Sequence, residues 1–125
     1  MNYSKEQREN IEKVKTVFQD YIKHSKTLEL LWSDKLGYIL IMGINKTMDD
    51  ISMDPIILED AETLCYHLLY EIACDVLEAG NNYDDIFKAT AAEKDTVKKA
   101  FHPYMVQLPE YAHLIEELFM ISLEE

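Results

Sequence analysis

Three groupings in the chain have the side-chain types that metal or covalent chemistry requires. His67, Glu71 and Cys74 recur at i, i+4 and i+7, which on a helix places an imidazole, a carboxylate and a thiol on one face. Glu110 and His113 have the E-x-x-H spacing of di-iron bundles. Such bundles need two of these pairs and a glutamate from each of two further helices, and the chain has one pair. The simpler reading of His67 and Glu71 is a hydrogen-bonded pair one turn apart on a helix surface. Asp50, Ser52 and Asp54 repeat the opening of a calcium loop, but Pro55 stands where glycine must turn and Ala61 where a bidentate glutamate must bind. A Cys74 nucleophile with His67 as its base fails on distance, because seven positions along a helix separate them by two turns, about 10 Å. No Gly-rich phosphate loop, G-x-S-x-G elbow or H-E-x-x-H is present. The expectation is a non-enzymatic protein with no catalytic residues, no metal and no cofactor.

A fourth grouping points to nucleic acid. Ile86, Ala91 with Ala92, Thr96–Val97 and Phe101 stand where an apolar residue, a small-residue turn, a Thr-Val pair and a second apolar residue stand in helix-turn-helix regulators. The sixteen residues Ile86 to Phe101 resemble that signature. The resemblance implies that Lys94, Lys98 and Lys99 contact phosphate and base edges from the second helix. Two places depart from the pattern: Ala91 occupies the turn where glycine is usual, and Glu93 the place where Ser or Thr caps the second helix. No Arg, Asn or Gln is placed for bidentate base reading.

The charge argues the other way. The net charge is −12, and residues 49–86 carry eleven acids and no Lys or Arg. Residues 1–26, by contrast, carry six basic and four acidic side chains. A phosphate-binding surface shows as a basic patch, so nucleic acid is the second choice as partner. Glu59, Glu62, Glu71, Asp75 and Glu78 read as the solvated side of an amphipathic helix. A solvated side ordinarily mixes both signs, and part of this block is answerable by Lys13, Lys15, Lys23 and Lys26. The remainder makes an acidic docking face for a protein with a basic surface.

The elements that must position these residues read as helices. Ser4 with Gln7 forms a capping box, and Ile11, Val14, Phe18, Tyr21 and Ile22 continue a helical face from about Lys5 to about His24. Leu28, Leu31, Trp32, Leu36, Ile39 and Gly43 fit a buried helix. Tyr38 to Ile44 taken alone could equally be a short buried strand, but no other segment offers a convincing strand to pair with, so the helix is preferred. Asn45 to Asp54 follows as a polar linker. Asp54–Pro55 reads as an N-cap and N1 pair, opening a helix along Leu58, Ala61, Leu64, Cys65, Leu68, Ile72, Val76 and Ala79 that Gly80 stops. Asn82 caps a short helix with Asp84 and Asp85 in its first turn. Thr90 with Glu93 caps another, which Pro103 ends. Pro109 and Glu110 start the last helix, apolar over most of its circumference.

With only 3 Gly and 3 Pro in 125 residues, a turn-dense β-sandwich is disfavoured. The sequence therefore predicts an all-α protein, a single helical domain over residues 1–125 folded as a compact bundle of about five helices. Met1 to Asp20 is too polar for a signal peptide, and Leu36 to Ile44 is less than half a membrane span. Cys65 and Cys74, nine positions apart on a helix, face roughly opposite sides and cannot bond. The chain is thus expected to be cytoplasmic, reduced and off the membrane, a regulatory or protein-interaction module. A helix-turn-helix regulator is the alternative. A homo-oligomer through the apolar C-terminal helix is a further association the pattern allows.

Overall fold

The computed structural model describes residues 3–77 and 89–120, with Met120 described by its backbone only. These residues form two compact units, Met1–Leu64 and Cys65–Glu125. The fold is mixed α/β, with a three-stranded antiparallel sheet beside five described α-helices. This overturns the all-α bundle expected from the sequence.

The first unit opens with α1 (Lys5–Val17), whose start is the expected reciprocal cap between Ser4 and Gln7. Phe18 interrupts the single helix expected over Lys5–His24. Its backbone turns to φ −97° and ψ 6°, and α2 (Gln19–His24) follows as a short separate helix. Phe18 is fully buried with Ile11 and Val14.

Residues 28–44 correct the helical reading. β1 (Glu29–Ser33) and β2 (Gly37–Lys46) form a hairpin, and the expected linker and helix start at 45–57 become a turn followed by β3 (Ile51–Ile57). The strands lie in the order β1-β2-β3. Register runs Leu30↔Leu40 and Trp32↔Tyr38 on one side of β2, and Ile39↔Ile57 and Ile41↔Pro55 on the other. β2 is the central strand, and Tyr38, Leu40, Ile41 and Met42 are all buried. Burial on both of its sides removes the period-two alternation that identifies a half-exposed strand. Gly37 (φ 85°) closes the first hairpin, and Gly43 (φ 63°) lies within the register shift between Met42 and Asn45.

Pro55 lies within β3 and opens no helix. The helix begins later: α3 spans Ala61–Leu77, and Asp60 caps it, accepting from the Thr63 backbone N–H at 2.8 Å and the Thr63 hydroxyl at 2.7 Å. The expected stop at Gly80 and the short helix with Asn82, Asp84 and Asp85 lie outside the described residues.

Beyond Leu64, the second unit contains the rest of α3, then α4 (Ala91–Met105), a 3-10 turn (Pro109–Tyr111) and α5 (His113–Met120). Its core holds Leu68, Leu69, Ile72, Val97, Phe101, Leu108, Leu114 and Leu118. Thr90 and Glu93 cap α4 reciprocally, as expected. Pro103 sits inside the helix, two residues before its end. A proline so near the C-terminus removes one intrahelical hydrogen bond, and the final turn absorbs the loss.

Candidate interaction surface

His67, Glu71 and Cys74 lie along one side of α3, but Cys74 and Glu71 are buried and His67 is half-buried. Burial pushes the His67 imidazole below its ordinary value. It also raises the Glu71 carboxyl, and the neighbouring Asp75 charge raises it further. Both groups are thereby biased towards their neutral forms. No group of three or more His, Cys, Asp or Glu able to hold a metal ion occurs among the described residues. Glu110 lies in the 3-10 turn and His113 opens α5; both are exposed. Cys65 and Cys74 are buried and unbridged.

The lysines of the second helix in the helix-turn-helix resemblance are engaged within their own unit. Lys94 and Lys98 stand over the Phe119 ring of α5, at 5.8 and 5.7 Å from its centroid. Lys98 also pairs with Glu116 at 3.5 Å, and Lys99 with Asp95 at 3.1 Å. Val97 and Phe101 are core residues. Ile86, the first position of the motif, lies outside the described residues.

Of the residues expected to form an acidic face, the four described do not lie together on one. Glu59 and Glu62 are exposed at the start of α3 and Asp75 is exposed near its end. Thirteen positions bring Glu62 and Asp75 to roughly opposite sides of the helix, about 20 Å apart along its axis. Glu71 is 6% exposed, so it lies inside the fold and off the solvated side. Glu78 lies outside the described residues.

The first unit brings different residues together at β3. The turn before it is tied by Thr47. The Thr47 N–H donates to the Asp50 carbonyl at 2.8 Å, and the Thr47 hydroxyl accepts from the Asp50 N–H at 3.1 Å. The Asp50 carboxylate accepts from the Ile51 N–H at 2.8 Å. At the turn, Met48 is fully exposed, and Ile51 (53%), Met53 (46%) and Ile57 (44%) continue an open apolar line along the strand. Asp49, Asp50, Asp54 and Glu59, all exposed, alternate with them. An open hollow of about 420 Å³ is lined by Lys46 to Ile51. Ile51, Met53 and Ile57 thus share one face of β3 on an ordered backbone, with Asp49 and Asp50 beside Met48 at one end and Glu59 just past the other, while Asp54, opposite Met42, projects to the other face. Methionine at such a place adapts to the shape of whatever apolar group it meets. The signal was present in the sequence as Met48-Asp-Asp-Ile-Ser-Met53. The polar residues around it give the stretch the composition of a linker.

The sheet's other side carries an aromatic cluster that the sequence reading also missed. The Tyr38 hydroxyl donates to the Glu12 carboxylate at 2.5 Å, and the Arg8 guanidinium lies 4.5 Å from the Trp32 ring centroid. These two contacts set α1 over the sheet face that carries Trp32 and Tyr38. Burial raises the Tyr38 phenol, and the bond to Glu12 raises it further. Tyr3 packs against both rings, at 6.4 Å from Trp32 and 5.5 Å from Tyr38. Its hydroxyl accepts from the Tyr38 N–H at 3.0 Å and donates to the Leu58 carbonyl at 2.6 Å. A side chain 35 residues away thus replaces one rung of the β2–β3 ladder.

Comparison of the chain with family models, curated proteins and solved structures finds no match. No described helix is long and apolar enough to cross a membrane.

Proposed function

We propose that the chain is a non-enzymatic protein-interaction module whose working surface is β3 and the turn before it. The partner is a protein segment that is basic and amphipathic. One observation carries this reading: Met48, Ile51, Met53 and Ile57 lie exposed with Asp49, Asp50 and Glu59 at the ends of the line, and Lys46, beside Ile51 in the register, is the one Lys or Arg of residues 46–87. Apolar contact supplies the affinity, and the acid rim supplies attraction and orientation at long range. A cytoplasmic setting suits the two unbridged thiols. Of the acidic face expected from the sequence, exposed Glu59 follows β3 by two residues, and buried Glu71 has no part in this surface.

The test is binding by the intact protein before and after charge reversal at exposed positions. Asp49→Lys with Glu59→Lys should leave the circular dichroism spectrum unchanged, because exposed sites tolerate such changes. Proteins captured from the source organism by the native chain should be lost by this variant. The purified partner should associate more slowly as salt rises. Equal capture by both forms would refute the reading. So would a sequence-specific shift of duplex DNA that is abolished by Lys98→Ala with Lys99→Ala.

A further inference from the structure

The two edges of the sheet are not equivalent. Backbone groups in an antiparallel pair point alternately towards and away from the partner strand. On the β3 side, the Leu58 N–H donates to the Tyr38 carbonyl at 2.9 Å. Positions 54, 56 and 58 therefore face β2, while Met53, Pro55 and Ile57 face outward. Pro55 has no N–H to offer at the middle of that edge, and proline in a strand is tolerated at such a place. The β3 edge is blocked.

On the β1 side, the Thr27 carbonyl accepts from the Ile44 N–H at 3.1 Å, and the Tyr38 N–H is taken by Tyr3 rather than by Trp32. Both observations give the same parity. Glu29, Leu31 and Ser33 face β2, and Leu30 and Trp32 direct their N–H and C=O groups outward. Leu31 and Trp32 are 39% and 44% exposed. β1 contains no proline or lysine to discourage pairing.

We propose that the outer edge of β1 pairs with the same edge of a second copy of the chain, antiparallel and centred on Leu31. The result is a continuous six-stranded sheet with a two-fold axis.

The strand is self-complementary about that centre. Leu30 and Trp32 are equidistant from Leu31, so the two-fold sets each Leu30 opposite a Trp32 and forms four N–H···O=C bonds. Leu31 meets Leu31 as a non-hydrogen-bonded pair, where opposing Cα atoms lie about 4.5 Å apart. Glu29, the only charge in the strand, meets Ser33, so no like charges are opposed. Trp32 is held ready by its Nε1–H bond to Asp34 at 3.0 Å and by Arg8 over its ring. The acids concentrate elsewhere: residues 27–48 carry two basic and two acidic side chains, so two copies meet at this edge without the repulsion that the whole chain's charge implies. An extended peptide from another protein would use the same backbone groups, but would have no reason to match the symmetry of this strand.

The test uses the full chain in analytical ultracentrifugation across the micromolar to millimolar range. The native protein should form a dimer. Leu31→Lys places two ammonium groups in opposition on the axis at an exposed position, and should weaken the dimer about tenfold or more. Leu30→Pro, which removes an outward N–H and no rung of the β1–β2 ladder, should weaken it comparably. Asp49→Lys with Glu59→Lys should leave the dimer intact, which separates failure here from failure of the β3 surface. Under mild oxidation Leu31→Cys should give a covalent dimer, because the Cα spacing at the axis suits a disulfide. Cys65 and Cys74, being buried, should not. A monomer at every concentration would overturn the proposal. A dimer that survives both β1 substitutions, or one in which Leu31→Cys fails to cross-link, would place the contact elsewhere and overturn it equally. A monomer that binds an extended peptide at β1 would show a heterologous partner instead of a second copy.

Discussion

Gly37 and Tyr3 form a pair whose coupling is calculable. Gly37 has φ 85°, and a Cβ built there would lie 2.6 Å from the Tyr3 hydroxyl oxygen, 2.7 Å from Cε2 and 2.9 Å from Cζ. Gly37→Ala therefore costs twice. The left-handed backbone alone costs about 1–2 kcal/mol for an L-residue. The ring must also move, and the Tyr38 N–H and Leu58 carbonyl then lose their shared partner. Two such bonds are worth about 1–3 kcal/mol together. Tyr3→Phe keeps the ring and should cost about 1–3 kcal/mol through the same two bonds. Tyr3→Ala empties the space, so adding Gly37→Ala to it should cost only the backbone share, about 1–2 kcal/mol. The double-mutant cycle should consequently show a coupling of about 1–3 kcal/mol. The assay is urea unfolding followed by the fluorescence of Trp32, the chain's single tryptophan, whose ring lies 6.4 Å from that of Tyr3. It therefore reports on the first unit. Additivity within about 0.5 kcal/mol would mean that Tyr3 does not fill the space beside Gly37, and would refute the bridged rung.

Glu71 has a carboxyl raised by burial and by Asp75, so the folded protein holds a proton there that the unfolded chain gives up near its ordinary value of 4.5. Stability should fall as pH rises from that value through the folded one, and Glu71→Gln should remove the decline and raise the neutral-pH melting temperature; a variant less stable than the parent at neutral pH would contradict it. Cys65 and Cys74 should resist a thiol reagent in the native protein and both react in denaturant; rapid labelling without denaturant would contradict their burial.

The parts of the fold that were legible in the sequence are those decided within a few residues. Ser4 with Gln7 and Thr90 with Glu93 form reciprocal caps because the cap and its partner are three positions apart and need nothing else. The sheet was illegible because each strand depends on another. Tyr38 to Ile44 reads equally as a buried strand or a helix, and the strand reading needs a partner that no local signal identifies. Both partners were present. β1 was hidden because Leu28, Leu31 and Trp32 also fit helical spacing. β3 was hidden because Asp54–Pro55 has the local chemistry of a helix start. What overrides that chemistry is the pairing of β3 along β2, which places Pro55 opposite Ile41 with its missing N–H on the unpaired side. With Asp54 in the strand, the cap falls to Asp60, whose reach to Thr63 is as local as the signal it replaced.

The same distinction explains the site residues. Charge on a helix predicts exposure only where the helix has an exposed side, and α3 from Leu68 to Cys74 is buried at every position. A carboxylate there follows its surroundings into the interior, which is why Glu71 left the acidic set while Glu59 and Glu62 remained outside. The Asp residues of the β3 surface are exposed for the converse reason, since an edge strand and its turn have neighbours on one side only. Residue type therefore made the excess of acid legible in residues 49–86. Whether a given acid could meet a partner depended on which residues became the edge of a sheet, and that is a property of pairing over a distance.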